Sequence, residues 1–145
     1  MDILLPAHSY LRYFILITLA GVIILSVRGW LTNKPYTKLD NKLGLYLLIF
    51  THLQFIAGIV LYFMSGVVQF NSETMKNATL RYWTVEHITA MLIAVVLITV
   101  ARSTSKRMAS DVAKHRRLAI FNGLALLIIV GTLAMSGRGI ILSSY

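Results

Sequence analysis

The chain has 145 residues, 57% of them hydrophobic and 13% charged, with a mean hydropathy of +0.74. A soluble domain carries about twice that charged fraction, so an ordinary soluble globular protein is excluded and a single bundle embedded in a lipid bilayer is expected. The net charge is +9, but ten of the fourteen Lys and Arg residues fall in two short connections between apolar runs. That distribution reads as loops facing anionic lipid, with no nucleic-acid partner. There is no cysteine, which excludes disulfides and thiolate metal sites.

Four apolar spans are predicted. Met-Asp-Ile-Leu-Leu-Pro precedes the first one without a basic segment, so no cleavable signal peptide is expected and the span is retained. Span 1 covers residues 6–27: Pro6 suits a first helical turn, and His8 and Arg12, one turn apart, share a face. The connection that follows, Arg28 to Lys42, carries Arg28, Lys34, Lys38 and Lys42 against Asp40, with a turn at Asn33-Lys34-Pro35. Span 2 covers residues 43–66 and holds Thr51-His-Leu-Gln54, Gly58 and Tyr62. A polar, nearly balanced connection leads to span 3 (residues 80–101), where Glu86 and His87 stand inside an apolar run. The next connection is strongly basic, with Arg102, Lys106, Arg107, Lys114, Arg116 and Arg117 against Asp111. Span 4 covers residues 118–141, and its Gly123, Gly131 and Ser136-Gly-Arg-Gly139 predict close helix approach in lipid.

The fold class expected is therefore all-α, an integral membrane up-down-up-down four-helix bundle forming one domain over residues 1–145. The positive-inside rule places both basic connections in the cytoplasm and both termini on the periplasmic side of a bacterial inner membrane.

Ionisable residues within a span are costly and mark functional sites. Measured from the middle of each span at ~1.5 Å per residue, His87 lies roughly 5 Å to the outer side, His52 about 3 Å to the inner side and His8 on the order of 13 Å to the outer side. His115 falls about 20 Å to the inner side, beside Arg116 and Arg117, and reads as one more basic loop residue; it would cap an inner site only if span 4 began early. Imidazoles at depth need partners for both ring nitrogens. A hydrogen bond to a neighbouring helix is the structural explanation, with Thr51 or Gln54 as local company for His52. Around His87, Thr84, Ala90, Met91, Ala94 and Ile98 share its helical side, a stripe that suits either ordinary helix packing or a flat bulky group.

The chemistry that fits is bis-imidazole ligation of a b-type haem (heme b) between facing helices. His87 pairs with His52 or with His8; the depth offsets are similar and leave both pairings open. Arg12 suits a haem propionate or snorkels to the headgroups. Glu86 has Arg12, Arg81, a ligand imidazole nitrogen or a quinol proton as possible partners. The rival is a copper or zinc site on His8, His52 and His87, which requires three nitrogens to converge despite a spread of roughly 16 Å in depth.

At these residues the chain resembles a family of small four-span proteins of Bacteroidetes-type bacteria described as cytochrome b-like. The resemblance covers nearly the whole length and is carried by His8-Ser9, Thr51-His-Leu-Gln54 with Gly58-Ile-Val-Leu-Tyr62, Met75-Lys-Asn77, and Val85-Glu-His87 with Ala94-Val-Val-Leu-Ile-Thr99. It implies haem binding through His8, His52 and His87. A more distant likeness is to the cytochrome b561 group, with one histidine on each of four helices; His115 is too shallow for that pattern. The function expected is electron transfer with a quinol or respiratory partner by a protein that carries electrons and does not itself transform a substrate. The alternatives are an accessory subunit or assembly factor of a respiratory complex, and a histidine-based copper or zinc protein. A homodimer is compatible with the small-residue faces.

Overall fold

The computed structural model describes residues 2–136. It is all-helical, with no strand among the described residues. Four long helices follow one another: α1 (Leu4–Thr32), α2 (Lys38–Met64), α3 (Ala78–Ser105) and α4 (Asp111–Met135). Each contains an apolar window of mean hydropathy between 2.0 and 2.3, long enough to cross a membrane. The helices start before the predicted apolar limits, and α1 and α3 also end after them, because their polar ends keep helical geometry; α2 ends at Met64, two residues short of the predicted limit. α4 starts at Asp111, well before Leu118. The expected end of span 4 at Ile141, with Gly137-Arg-Gly139, lies outside the described residues.

The outer surface is apolar, with Ile17, Ile56, Phe63 and Leu127 all more than half exposed. Such a surface on every helix belongs in lipid. The four helices thus make a multi-pass membrane bundle. Inside, Ile15, Leu19 and Val22 of α1, Leu47 of α2, Ala94 and Ile98 of α3, and Ala125, Ile129 and Leu133 of α4 form one core. α4 packs closely against both α1 and α3, and α2 packs on α1. α2 and α3 are the adjacent pair with the loosest contact, and α1 and α3 face one another across the diagonal.

Close approach does not come from Gly123 and Gly131 as expected. Nothing lies within 4 Å of a Cβ built on either, since the buried face of α4 is formed by Ala119, Asn122, Ala125, Ile129 and Thr132. The tight contacts are instead at Gly21 and Gly29 of α1 and Gly44 of α2, the first with Leu43. A Cβ on Gly44 would stand 2.9 Å from a guanidinium nitrogen of Arg102, and one on Gly29 would clash with the His115 ring.

The end of the bundle that carries both short connections, here called the basic end, is closed by local signals. Asn33 takes a left-handed conformation (φ 52°) at the end of α1, where Lys34 N–H bonds the Gly29 carbonyl (3.1 Å). Thr37 and Asp40 form a capping box that starts α2. Three long-range contacts then fasten this connection to the other half of the chain. His115 donates from Nε2 to the Lys34 carbonyl (3.1 Å), Tyr36 N–H donates to Asp111 (3.0 Å), and the Arg102 guanidinium donates to the Asn41 carbonyl and side-chain oxygens (both 3.2 Å). Burial in this cluster pushes the Tyr36 phenol above its ordinary pKa. His115 is 1% exposed, which corrects the reading of it as a basic loop residue: the early start of α4 draws it under the α1–α2 connection.

Gly29→Ala should lower stability by about 2 kcal/mol or more, because a methyl group has no room beside a buried ring that is tied to the Lys34 carbonyl. Gly123→Ala, where space is open, should leave stability unchanged or slightly raise it. Thermal unfolding in detergent compares the two.

Candidate functional site

The opposite end of the bundle, the far end, gathers His8, Arg12, Gln54, Gly58, Tyr62, Tyr82 and His87. Its organiser is a break in α3. Residues Tyr82–Glu86 form one turn of π-helix, and the His87 N–H closes it by bonding to the Tyr82 carbonyl, five residues back. Side chains three or four apart are neighbours on an α-helix. In this turn residues five apart are neighbours instead, and the structure contains two such pairs. Arg81 Nε lies 2.9 Å from Glu86 Oε1, and the Tyr82 hydroxyl lies 3.4 Å from His87 Nδ1. Single π-turns of this kind are frequent at functional sites.

The turn is supported from both sides. The Tyr82 hydroxyl donates to the Thr132 carbonyl of α4 (2.9 Å). The Tyr62 hydroxyl of α2 donates to the Thr84 carbonyl (2.7 Å), and the Thr84 hydroxyl accepts from the Gln69 N–H (3.0 Å), which folds the α2–α3 connection back over α3. His87 itself is flanked by the rings of Tyr82 (5.7 Å between centroids) and Trp83 (5.2 Å). Asn77 caps the start of α3 by accepting from the Thr79 and Leu80 N–H groups.

His8 faces the same interior from α1. A Cβ on Gly58 of α2 would stand 3.1 Å from His8 Cε1, so the ring packs closely over that glycine. The ring also faces the Gln54 backbone. His8, Arg12 and His87 are near enough for their charges to interact. Arg12 further bonds the Tyr13 hydroxyl (3.2 Å) and stacks over that ring. His8 Nδ1, Gln54 Oε1 and Thr51 Oγ1 are buried and have no hydrogen-bond partner among the described residues.

The structure therefore brings His8, His87 and Arg12 together and sets His52 apart. His52 is exposed on the lipid-facing surface, with Nε2 3.0 Å from Thr99 Oγ1 across the α2–α3 seam. The convergence of His8, His52 and His87 that the rival copper or zinc site requires does not occur, and no group of three His, Asp or Glu side chains among the described residues could hold a metal ion. Glu86 has Arg81 as its partner, about one third of each side chain being exposed, and so does not orient a histidine. Tyr82 takes that position. Sequence reasoning missed it because five residues along an α-helix lie about 140° apart, and nothing in the composition of Tyr82-Trp-Thr-Val-Glu86 announces a π-turn.

Comparison with protein-family models, curated proteins and solved structures gives no match.

Glu86→Gln should cost less than about 1 kcal/mol, as expected for a partly exposed ion pair. Deleting Val85, an exposed residue within the turn, would return the segment to α-helical pitch and leave Arg81 and Tyr82 four residues before Glu86 and His87, still neighbours, while rotating the preceding turn by about 100° relative to the rest of α3 and so displacing the Tyr82–Thr132 and Tyr62–Thr84 bonds. The loss of those bonds should lower the melting temperature more than Glu86→Gln does, read by thermal unfolding in detergent.

Proposed function

We propose that this chain is a membrane electron carrier whose far half would bind a b-type haem, with His8 and His87 as the residues that would hold it. One observation carries the reading: His8 and His87 lie at the same end of two helices across the bundle diagonal, near enough for charge on one to act on the other. Ligands on diagonal helices leave the bundle axis between them for a flat group, whereas a pairing with His52 would require that side chain to turn in from the lipid surface.

The residues present fit such a group. The donor set is two imidazoles without a carboxylate, which suits haem iron. Buried polar atoms are nearly always satisfied, and His8 Nδ1, Gln54 Oε1 and Thr51 Oγ1 are three that lack a partner within the described protein. The α2–α3 seam is the loosest of the bundle. When bound, a haem would supply one-electron chemistry at its iron. Arg12, one turn inward from His8, would pair with a propionate. The apolar core of Ile15, Leu19, Ala94 and Ile98 would exclude water from the inner side.

The positive-inside rule favours the basic end in the cytoplasm of a bacterial inner membrane, with the N-terminus and the α2–α3 connection on the periplasmic side. The haem would then lie toward the periplasmic leaflet, within reach of a membrane quinol or a respiratory partner. The cytochrome b-like resemblance points the same way.

Reduced-minus-oxidised spectra of the protein purified in detergent from haem-replete cells test the proposal. The haem bands should be present in the native chain and lost in His87→Ala and in His8→Ala. They should persist in His52→Ala and His115→Ala. A folded native sample without haem, or one in which His52→Ala abolishes the bands and His8→Ala does not, would overturn it.

A further inference from the structure

We infer that Tyr82 is a positioning residue that selects the tautomer of His87, leaving its Nε2 as the nitrogen with the free electron pair. The inference takes its purpose from the haem reading, but its argument is independent of any bound group. The contact between the Tyr82 hydroxyl and the Thr132 carbonyl is 2.9 Å long. A carbonyl oxygen can only accept, so the single hydroxyl hydrogen of Tyr82 is committed to α4. What Tyr82 then presents to His87 Nδ1, 3.4 Å away, is a lone pair. A lone pair facing a lone pair is repulsive, so the arrangement requires a hydrogen on Nδ1. In the neutral imidazole only one nitrogen carries a hydrogen, and Nε2 is therefore bare.

The π-turn is what makes this geometry available. An α-helical segment would place Tyr82 on a different face from His87, and no residue at the usual spacing could substitute: Trp83 offers only an indole donor and Thr84 is occupied with Gln69 and Tyr62. The short helical irregularity thus turns a residue five positions away into the partner that fixes the ring. A ligand histidine commonly donates its other N–H to a protein oxygen, which sets ring orientation and raises the basicity of the ligating nitrogen. Here the oxygen is a phenol that is itself locked by a backbone carbonyl on another helix, so the orientation of His87 follows the α3–α4 contact. Glu86, the adjacent carboxylate, takes no part because Arg81 holds it.

The test begins with the haem-free native protein, labelled with nitrogen-15 at histidine and reconstituted in lipid nanodiscs. The ring nitrogen resonances of His87, assigned by their loss in His87→Gln, should report hydrogen on Nδ1. Tyr82→Phe removes the acceptor and should shift the population toward hydrogen on Nε2, the form a free histidine side chain prefers. In the haem-loaded protein the same substitution should move the reduction potential to a more positive value, since a less basic ligand stabilises ferric iron less. A native His87 with hydrogen on Nε2 would overturn the inference without any variant. So would a folded Tyr82→Phe protein whose tautomer and potential both match the native ones. A native protein with hydrogen on Nδ1 that takes up no haem would support the role of Tyr82 and overturn the haem reading, so the two fail separately.

Discussion

The hydrogen bond from the Tyr82 hydroxyl to the Thr132 carbonyl is the contact on which the far end of the bundle depends. It joins α3 to α4 at the point where α3 departs from α-helical pitch. Within a bilayer each backbone polar group must find a partner inside the protein, so a π-turn is tolerated only where neighbours satisfy what it displaces. Here Tyr62 reaches the Thr84 carbonyl from α2, while Tyr82 reaches α4. Tyr82, one of the two phenols that make the irregularity permissible, also packs against the His87 ring. Stability and site geometry are in this sense one set of hydrogen bonds.

The basic end shows the complementary arrangement. There the interactions are made with no departure from regular helix, and glycine rather than tyrosine decides the fit. Gly29 admits the His115 ring and Gly44 admits the Arg102 guanidinium. The two polar groups reach across to backbone carbonyls of Lys34 and Asn41, a use of buried polar residues that fixes the register of the helices. Two histidines of the same chain thus serve opposite ends of the argument: His115 is held by the fold, and His87 is held so that one of its nitrogens stays available.

Much of the architecture was legible in the amino-acid order. Four apolar runs and the clustering of Lys and Arg in alternate connections specified an up-down-up-down bundle, because length and hydropathy act without regard to detailed packing. What escaped was any property that depends on which face a helix turns to its neighbours. His52 stands deep in its span yet faces lipid, since depth along a helix says nothing of rotation about it. His115 stands in a basic tetrapeptide yet is buried, since α4 starts at Asp111 and the ring swings under Lys34. The pairing of Tyr82 with His87 required a turn whose spacing no regular periodicity contains. Gly123 and Gly131 show the converse, small residues with nothing packed on them.

The cross-links at the basic end bear on how the bundle comes together. The five-residue connections leave α1–α2 and α3–α4 as two tight hairpins, each with its own caps, and each can enter the bilayer as a unit before the other is made. Almost every fastening contact described there runs between hairpins: His115 to Lys34, Asp111 to Tyr36, Arg102 to Asn41. Until the second hairpin docks, the carbonyl of Lys34 and the ring of His115 have only solvent and headgroups to bond. Docking is therefore the cooperative step of assembly, and the polar cluster works as a latch that closes only on the correctly registered pair.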